Sequence, residues 1–168
     1  MADCLASKYL YHFVRVMGRS ASHIALECAL QTRANCVLIG EEVERDNMTL
    51  QHIVNYVTDI ICNRAALDKN YGVILVPEGL IEFIPEMKVL INQINEILAV
   101  EVEGDVRAHV ITKLETASKA LFELLPQSIS DQLLLDRDPH GNVQVAKIET
   151  EKLLILCVEE ELKKRGDY

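Results

Sequence analysis

The sequence predicts an α/β fold: part of a parallel sheet covered by helices on both faces, followed by an all-helical segment. Three short candidate strands are almost uniformly apolar. This favours a sheet buried on both faces over an antiparallel sheet, in which polar residues would more often alternate with apolar ones. Helical patterns separate the strands, as expected for right-handed crossover connections. We assign residues 1–98 to a partial α/β domain and residues 99–168 to helices packed on it.

Three strand–helix pairs account for the first of these regions. The candidate strands are Tyr11–Val16, Cys36–Ile39 and Val73–Val76. The candidate helices are Ser20–Thr32, Leu50–Ile61 and Met87–Leu98. In the second and third helices the apolar residues recur with i, i+3, i+4 spacing, which is typical of an amphipathic helix. Asn47 and Thr49 are the candidate N-caps of the second helix.

The second half of the sequence contains helical patterns and no candidate strand. One long helix is predicted from Val106 to Leu125, and Pro126 ends it. A short helical turn follows, with Ser128 and Asp131 spaced as in a variant of the capping box. After a polar loop, a last helix is predicted through about Arg165.

Charge and cysteine content narrow the class of protein. Seventeen basic and twenty-six acidic side chains give a net charge of -9. This argues against a nucleic-acid or anionic-membrane surface, because both require a basic face. A small anionic substrate needs only a few local Arg, Lys and backbone N–H groups. The five cysteines include no C-x-x-C pair, which favours a reducing, cytoplasmic location. We expect no signal peptide and no membrane-spanning segment.

Gly18 and Arg19 stand at the junction between the first strand and its helix, and ligands bind at such junctions in open parallel sheets. Gly18 lets the backbone approach a ligand closely. The first N–H groups of the helix attract an anion, and Arg19 adds a bidentate fork. The sequence therefore predicts an anion site here. Two alternatives stay open: ordinary turn chemistry, and capping of the helix by Ser20 and Ser22.

Acidic side chains follow the other two strands. Glu78, between a proline and a glycine, can accept hydrogen bonds from the hydroxyls of a sugar or can face water. Glu41 and Glu42 are adjacent and therefore point apart, so we interpret them as part of a solvated loop. His23 is interpreted as a packed or surface residue, with a donor to the anion site as the alternative.

Two further kinds of site are excluded by spacing. Loop 136–142 resembles the start of a calcium-binding EF-hand, but Lys147 occupies the twelfth position, where a bidentate Glu is required. The segment from Asp138 to Gly141 is predicted to be a turn. His12, His52 and His109 have no metal-ligand partner at a useful spacing, and there is no Gly-rich loop for a polyphosphate.

Three stretches together carry a resemblance to a known family. The stretch SKYLYHFVRVMGRSASHIALECALQT resembles the sugar-phosphate segment of phosphofructokinases, whose hallmark is the Met-Gly-Arg triplet. The stretches NYGVILVPEGLIEFIPE and QLLLDRDPHGNVQVAKIETEKLL resemble later segments in the same order. The Ser-Ala-Ser-His-Ile run after the triplet is similar to the long, pyrophosphate-dependent type, specifically its catalytic (β-type) subunit. The resemblance covers essentially the whole chain.

This resemblance implies roles for particular residues. Met17–Arg19 would contact fructose 6-phosphate, and Arg19 would lie near the phosphoryl group in transit and stabilise its charge. Glu78 would bind the sugar hydroxyls. Lys8 and Tyr9 would contribute to the site of a neighbouring subunit. This arrangement implies a homodimer or larger oligomer, alone or with a regulatory subunit.

The implied activity is reversible, Mg²⁺-dependent transfer of a phosphoryl group from pyrophosphate to fructose 6-phosphate, a step of glycolysis. Family members are several times longer, and their donor-phosphate loop, catalytic aspartate and magnesium environment would precede the residues present here. We therefore expect the chain to be a middle fragment, inactive alone, with its helical half as the insertion typical of the long type. An ATP-dependent enzyme on the same scaffold and a non-catalytic regulatory subunit are the alternatives.

Overall fold

A computed structural model describes residues 10–17, 22–99, 105–138 and 140–166. Its sheet has three parallel strands in the order β1-β3-β2. The strands are β1 (Tyr11–Val16), β2 (Cys36–Val37) and β3 (Gly72–Pro77). Every residue of the central strand β3 is buried, as the uniformly apolar pattern predicted. The predicted α/β class with a parallel, helix-covered sheet is confirmed.

The second strand is shorter than predicted. Leu38 still donates its N–H to the Leu75 carbonyl at 3.0 Å. Gly40, however, begins a helix, so the chain leaves the sheet at this point. The register pairs Val16 with Pro77 and Val37 with Leu75, so the three strands end near one edge of the sheet.

Five helices connect and follow these strands. They are α1 (His23–Thr32), α2 (Gly40–Arg45), α3 (Leu50–Ala65), α4 (Leu80–Phe83) and α5 (Pro85–Leu98). Of the two candidate N-caps of α3, Thr49 is correct: its side chain accepts the His52 N–H at 3.2 Å, and His52 Nδ1 accepts the Thr49 N–H in return. Asn47 instead has a left-handed backbone, with φ 47°. The short helices α2 and α4 were not predicted.

The second half is helical, but two details of its prediction are wrong. The long helix expected up to Leu125 is two helices, α6 (Val106–Lys113) and α7 (Thr116–Leu124), because the backbone is extended at Leu114 and Glu115. Leu114 lies at this break and is buried, with 7% of its surface exposed. Ser128 caps nothing, since it lies inside α8 (Gln127–Leu135).

The last helix is confirmed as α9 (Thr150–Arg165), and Gly166 ends it with φ 74°. A short 3₁₀ turn at Val145–Lys147 precedes it. Helix α9 packs on α3 and on strand β1. Within the described ranges, no helix combines the length and the apolar character needed to cross a membrane.

Side chains from both halves form one apolar core. Ile74 and Val76 of the sheet belong to the same buried cluster as Phe122, Ile129 and Leu133 of the helical half. Burial raises the pKa of the Cys36 thiol to about 11, so this cysteine is protonated at neutral pH and acts as a small apolar side chain. The division at residue 98 stays a prediction.

Candidate functional site

The carboxyl ends of β1 and β3 lie side by side and bring together two segments that the sequence singled out. The main-chain N–H of Glu78 donates to the Val16 carbonyl at 2.9 Å, one residue beyond the paired strands. Met17, which directly follows β1, is 80% exposed, and Glu78 is half-buried. An exposed methionine and a carboxylate therefore flank the same edge of the sheet, accessible to a ligand.

Four of the predicted site residues lie outside the described residues: Lys8, Tyr9, Gly18 and Arg19. Ser20, one of the two candidate caps, lies there too. The roles assigned to these residues stay predictions. The described part of the site therefore consists of Met17, Glu78 and the residues that hold the ends of their segments.

Ser22 joins the start of α1 to the start of α2. Its main-chain N–H donates to Glu41 Oε1 at 2.8 Å. Its Oγ accepts the N–H of Gly40, also at 2.8 Å. Ser22 is 1% exposed and occupies the N-cap position of α1, yet its side chain makes no capping hydrogen bond within that helix. The capping alternative is therefore wrong for Ser22, because its hydroxyl serves the neighbouring helix.

Glu41 and Glu42 are exposed to solvent, as interpreted, but the loop assignment is wrong. Both residues lie in the first turn of α2. Hydrogen bonds from the N–H of Ser22, and then from its own N–H, lower the pKa of Glu41, and the charge of His23 adds a smaller effect in the same direction. Glu41 is therefore held as a carboxylate. The position of Glu41 just after a strand was a visible signal for such a contact, but its partner could not be read from the sequence.

Where the chain leaves β2, Gly40 lies in close contact with Phe83. A Cβ atom at position 40 would lie 2.3 Å from Phe83 Cδ2, so only glycine fits without movement of the ring. Phe83 ends helix α4, which starts two residues after Glu78. This contact therefore links the helices that follow β2 and β3.

Arg15 is a residue near the site that the sequence analysis missed. It lies two residues before Met17 on β1, and its guanidinium donates to the Ile148 carbonyl at 3.3 Å. The same nitrogen lies 3.6 Å from Glu151 Oε2 in helix α9. A signal was available in the sequence, since Arg15 is a charged side chain inside a mostly apolar strand. Arg15 ties the helical half to the strand that carries Met17.

Two other expectations concern exposed groups. His23, the first residue of α1, is exposed, in agreement with a surface role. The predicted turn at residues 138–141 is confirmed: Gly141 donates to the Asp138 carbonyl at 2.9 Å and has φ 85°. Among the described residues, no three His, Cys, Asp or Glu side chains lie close enough together to hold a metal ion.

Comparison with known proteins identifies the family. The model of the family described as phosphofructokinase matches residues 2–121. The chain is 59% identical to pyrophosphate--fructose 6-phosphate 1-phosphotransferase subunit beta 1 of Arabidopsis thaliana, over 98% of this chain and 29% of the relative.

Two further relatives carry similar names. The beta subunit of the same enzyme from Solanum tuberosum is 57% identical, over 100% of this chain and 30% of the relative. The Treponema pallidum enzyme is 51% identical, over 98% of this chain and 30% of the relative. The chain thus spans less than a third of the length of these curated relatives. Its match to the family model nevertheless covers more than half of its own length, and the chain belongs to the phosphofructokinase family.

Proposed function

We propose that this chain forms part of the fructose 6-phosphate site of a pyrophosphate--fructose 6-phosphate 1-phosphotransferase. The main support is the hydrogen bond between Glu78 and Val16, which brings a carboxylate and Met17 to one sheet edge in a family member 59% identical to a beta subunit of that enzyme. The chain matches less than a third of such relatives. In this proposal the phosphoryl-donor site lies in parts of the parent protein outside this chain.

In the proposed reaction, the oxygen of the 1-hydroxyl of fructose 6-phosphate attacks one phosphorus atom of pyrophosphate. The bridging P–O bond breaks, inorganic phosphate leaves, and the hydroxyl proton passes to a general base outside this chain. Catalysis of phosphoryl transfer consists largely of positioning and charge neutralisation. Arg19 supplies positive charge near the phosphoryl group in transit. Met17, Gly18 and Arg19 contact the sugar phosphate.

Glu78 accepts hydrogen bonds from the sugar hydroxyls and so fixes the orientation of the acceptor. Carboxylates bind vicinal hydroxyls well because each of the two oxygens can accept more than one hydrogen bond. Lys8 and Tyr9 reach the site of a neighbouring subunit, so the active protein is a homodimer or larger oligomer, alone or with a regulatory subunit. Size-exclusion chromatography with light scattering tests the assembly, and cell fractionation tests the proposed cytoplasmic location.

In this proposal, the residues that bind Mg²⁺ belong to the parent protein and lie outside this chain. When bound, Mg²⁺ neutralises the charge of the pyrophosphate oxygens. The described residues offer no cluster that fits the ion. This chain is therefore assigned no metal ligand, and its proposed contributions are acceptor binding and the positive charge of Arg19.

The test is a steady-state assay of the purified full-length protein with fructose 6-phosphate and either pyrophosphate or ATP as donor. Formation of fructose 1,6-bisphosphate with pyrophosphate and Mg²⁺ supports the proposal. Activity with ATP alone would assign the protein to the ATP-dependent enzymes instead. Lack of activity with both donors, combined with an effect on a partner subunit's rate, would identify a regulatory subunit. The 168-residue chain assayed alone is expected to be inactive.

A further inference from the structure

The methionines among the described residues differ widely in exposure. Met17 is 80% exposed and directly follows the last residue of β1. Met87, in α5, is fully buried, with 0% of its surface exposed. Met48 is half-buried and packs against the apolar core. Because an oxidant must reach the sulfur atom in order to react with it, Met17 is the described methionine most open to oxidation.

The position of Met17 gives its oxidation a functional consequence. The Glu78 N–H donates to the Val16 carbonyl at 2.9 Å, so Met17 comes directly after the last residue of β1 that is bonded to the neighbouring segment. This is the sheet edge to which the acceptor site is assigned, and Met17 is one of its assigned contacts. The most exposed methionine of the described residues is therefore also the one at the proposed site.

Two of the thiols compete poorly for a peroxide. Burial raises the pKa of Cys36 to about 11. The pKa of Cys157 is also raised, first by burial and then by the charge of Glu160. Since the thiolate is the form that reacts with oxidants, both side chains are held in their less reactive form at neutral pH.

We propose that Met17 is a site of reversible oxidation by peroxides, and that its oxidation weakens the binding of fructose 6-phosphate. With hydrogen peroxide, a lone pair of the sulfur attacks one oxygen, the O–O bond breaks and an S–O bond forms. The sulfur loses two electrons, and the second oxygen takes the proton of the first and leaves as water. The product is methionine sulfoxide, which methionine sulfoxide reductases convert back to methionine.

The sulfoxide changes the chemistry of the sheet edge. It replaces an apolar thioether by a polar group whose oxygen carries partial negative charge. Such an oxygen is an unfavourable neighbour for the phosphate of the substrate. The effect on substrate binding rests on the proposed function, whereas the oxidation of Met17 rests on its exposure alone.

The first test is a peptide map of the full-length protein after treatment with increasing concentrations of hydrogen peroxide. Dithiothreitol is added before digestion, because it reverses disulfides and sulfenic acids and leaves methionine sulfoxide in place. The described methionines fall in separate tryptic peptides, which are residues 16–19, 46–64 and 70–88. Mass spectrometry should find one added oxygen atom on the methionine of peptide 16–19 at the lowest peroxide concentration.

The second test measures the KM for fructose 6-phosphate before and after the same treatment. An unfavourable polar group beside a charged ligand is expected to raise this KM about tenfold in the wild type. Methionine sulfoxide reductase should reverse the rise, and the KM for pyrophosphate should not change. Met17→Leu has no sulfur to oxidise, so its ratio of KM values after and before treatment should stay near one. Met48→Leu is the matched control and should show the rise of the wild type.

The two tests can fail separately. Oxidation of peptide 46–64 before peptide 16–19, or no oxidation of peptide 16–19, would overturn the assignment of Met17 as the oxidation site. An active protein whose KM stays constant while Met17 is oxidised would overturn the effect on binding, and so would an equal rise of the KM in Met17→Leu. A protein inactive with both phosphoryl donors would defeat the proposed function, and the peptide map would still decide the oxidation site.

Discussion

The N–H of Glu78 lies 2.9 Å from the carbonyl oxygen of Val16, and this hydrogen bond extends the β1–β3 pairing by one residue beyond the strands. It brings the backbone of Glu78 to the end of β1, next to the exposed Met17, although 61 positions separate Glu78 from Met17 along the chain. Parallel strands end at a common edge, which is where ligands bind in open α/β sheets. The predictions below concern this edge and the core that supports it.

Replacement of Glu78 by Ala should weaken binding of fructose 6-phosphate in the full-length protein. Hydrogen bonds to a charged group that are lost in a desolvated site typically lower affinity by about 10- to 100-fold. The measurement is the KM for fructose 6-phosphate. Glu82→Ala is a matched control, since Glu82 is an exposed carboxylate in α4 and has no proposed role. Equal KM values in Glu78→Ala and in the wild type would contradict the assigned role.

Replacement of Arg19 should lower turnover more than binding. If Arg19 stabilises charge in the transition state, Arg19→Ala is expected to lose about 10²- to 10³-fold in kcat. Arg19→Lys keeps the charge but not the bidentate fork, so it should recover only part of this loss. Arg45→Ala serves as the control, because Arg45 pairs with Asp46 on the exposed surface. An unchanged kcat with an altered response to effectors would point to the regulatory alternative.

Local patterns predicted the sheet because its strands consist mostly of apolar residues, although only the central strand β3 is buried throughout and β1 is partly exposed. The same logic identified Thr49 as a helix cap, since a capping residue acts within four positions of itself. The break at Leu114 could not be predicted in this way. Apolar residues continue at helical spacing across it, and only the packing of Leu114 into the core decides that the helix ends there.

Local sequence patterns predicted the site only in part as well. Residues at strand ends could be picked out because the topology of a parallel sheet brings strand ends together. The pairing of Ser22 with Glu41 depends on how two separate crossover segments meet, 19 positions apart. No local rule gives that distance. Glu41 is exposed, as the sequence indicated, but for the same reason its hydrogen bond with the Ser22 N–H could not be predicted.

Replacement of Gly40 by Ala should destabilise the protein and disturb the start of α2. The added Cβ would lie 2.3 Å from Phe83 Cδ2, so the ring or the helix must move. Overpacking of this kind typically costs about 1–3 kcal/mol. The measurement is the free energy of unfolding in urea. The double variant Gly40→Ala/Phe83→Ala should lose less stability than the sum of the two single changes, because the clash is removed. Strict additivity would refute the steric explanation.

Replacement of Phe122 by Ala should show whether the two halves unfold together. Phe122 is fully buried in the cluster that also contains Ile74 of the central strand, and the Arg107 guanidinium lies 5.6 Å from its ring centroid. Truncation of a buried Phe typically costs about 3–5 kcal/mol. Since the core is shared, we expect one cooperative urea transition at a lower midpoint. Leu124→Ala is the control, since Leu124 lies on the same helix and is 82% exposed. Two separate transitions, with only the helical one shifted, would show that residues 99–168 form an independent unit.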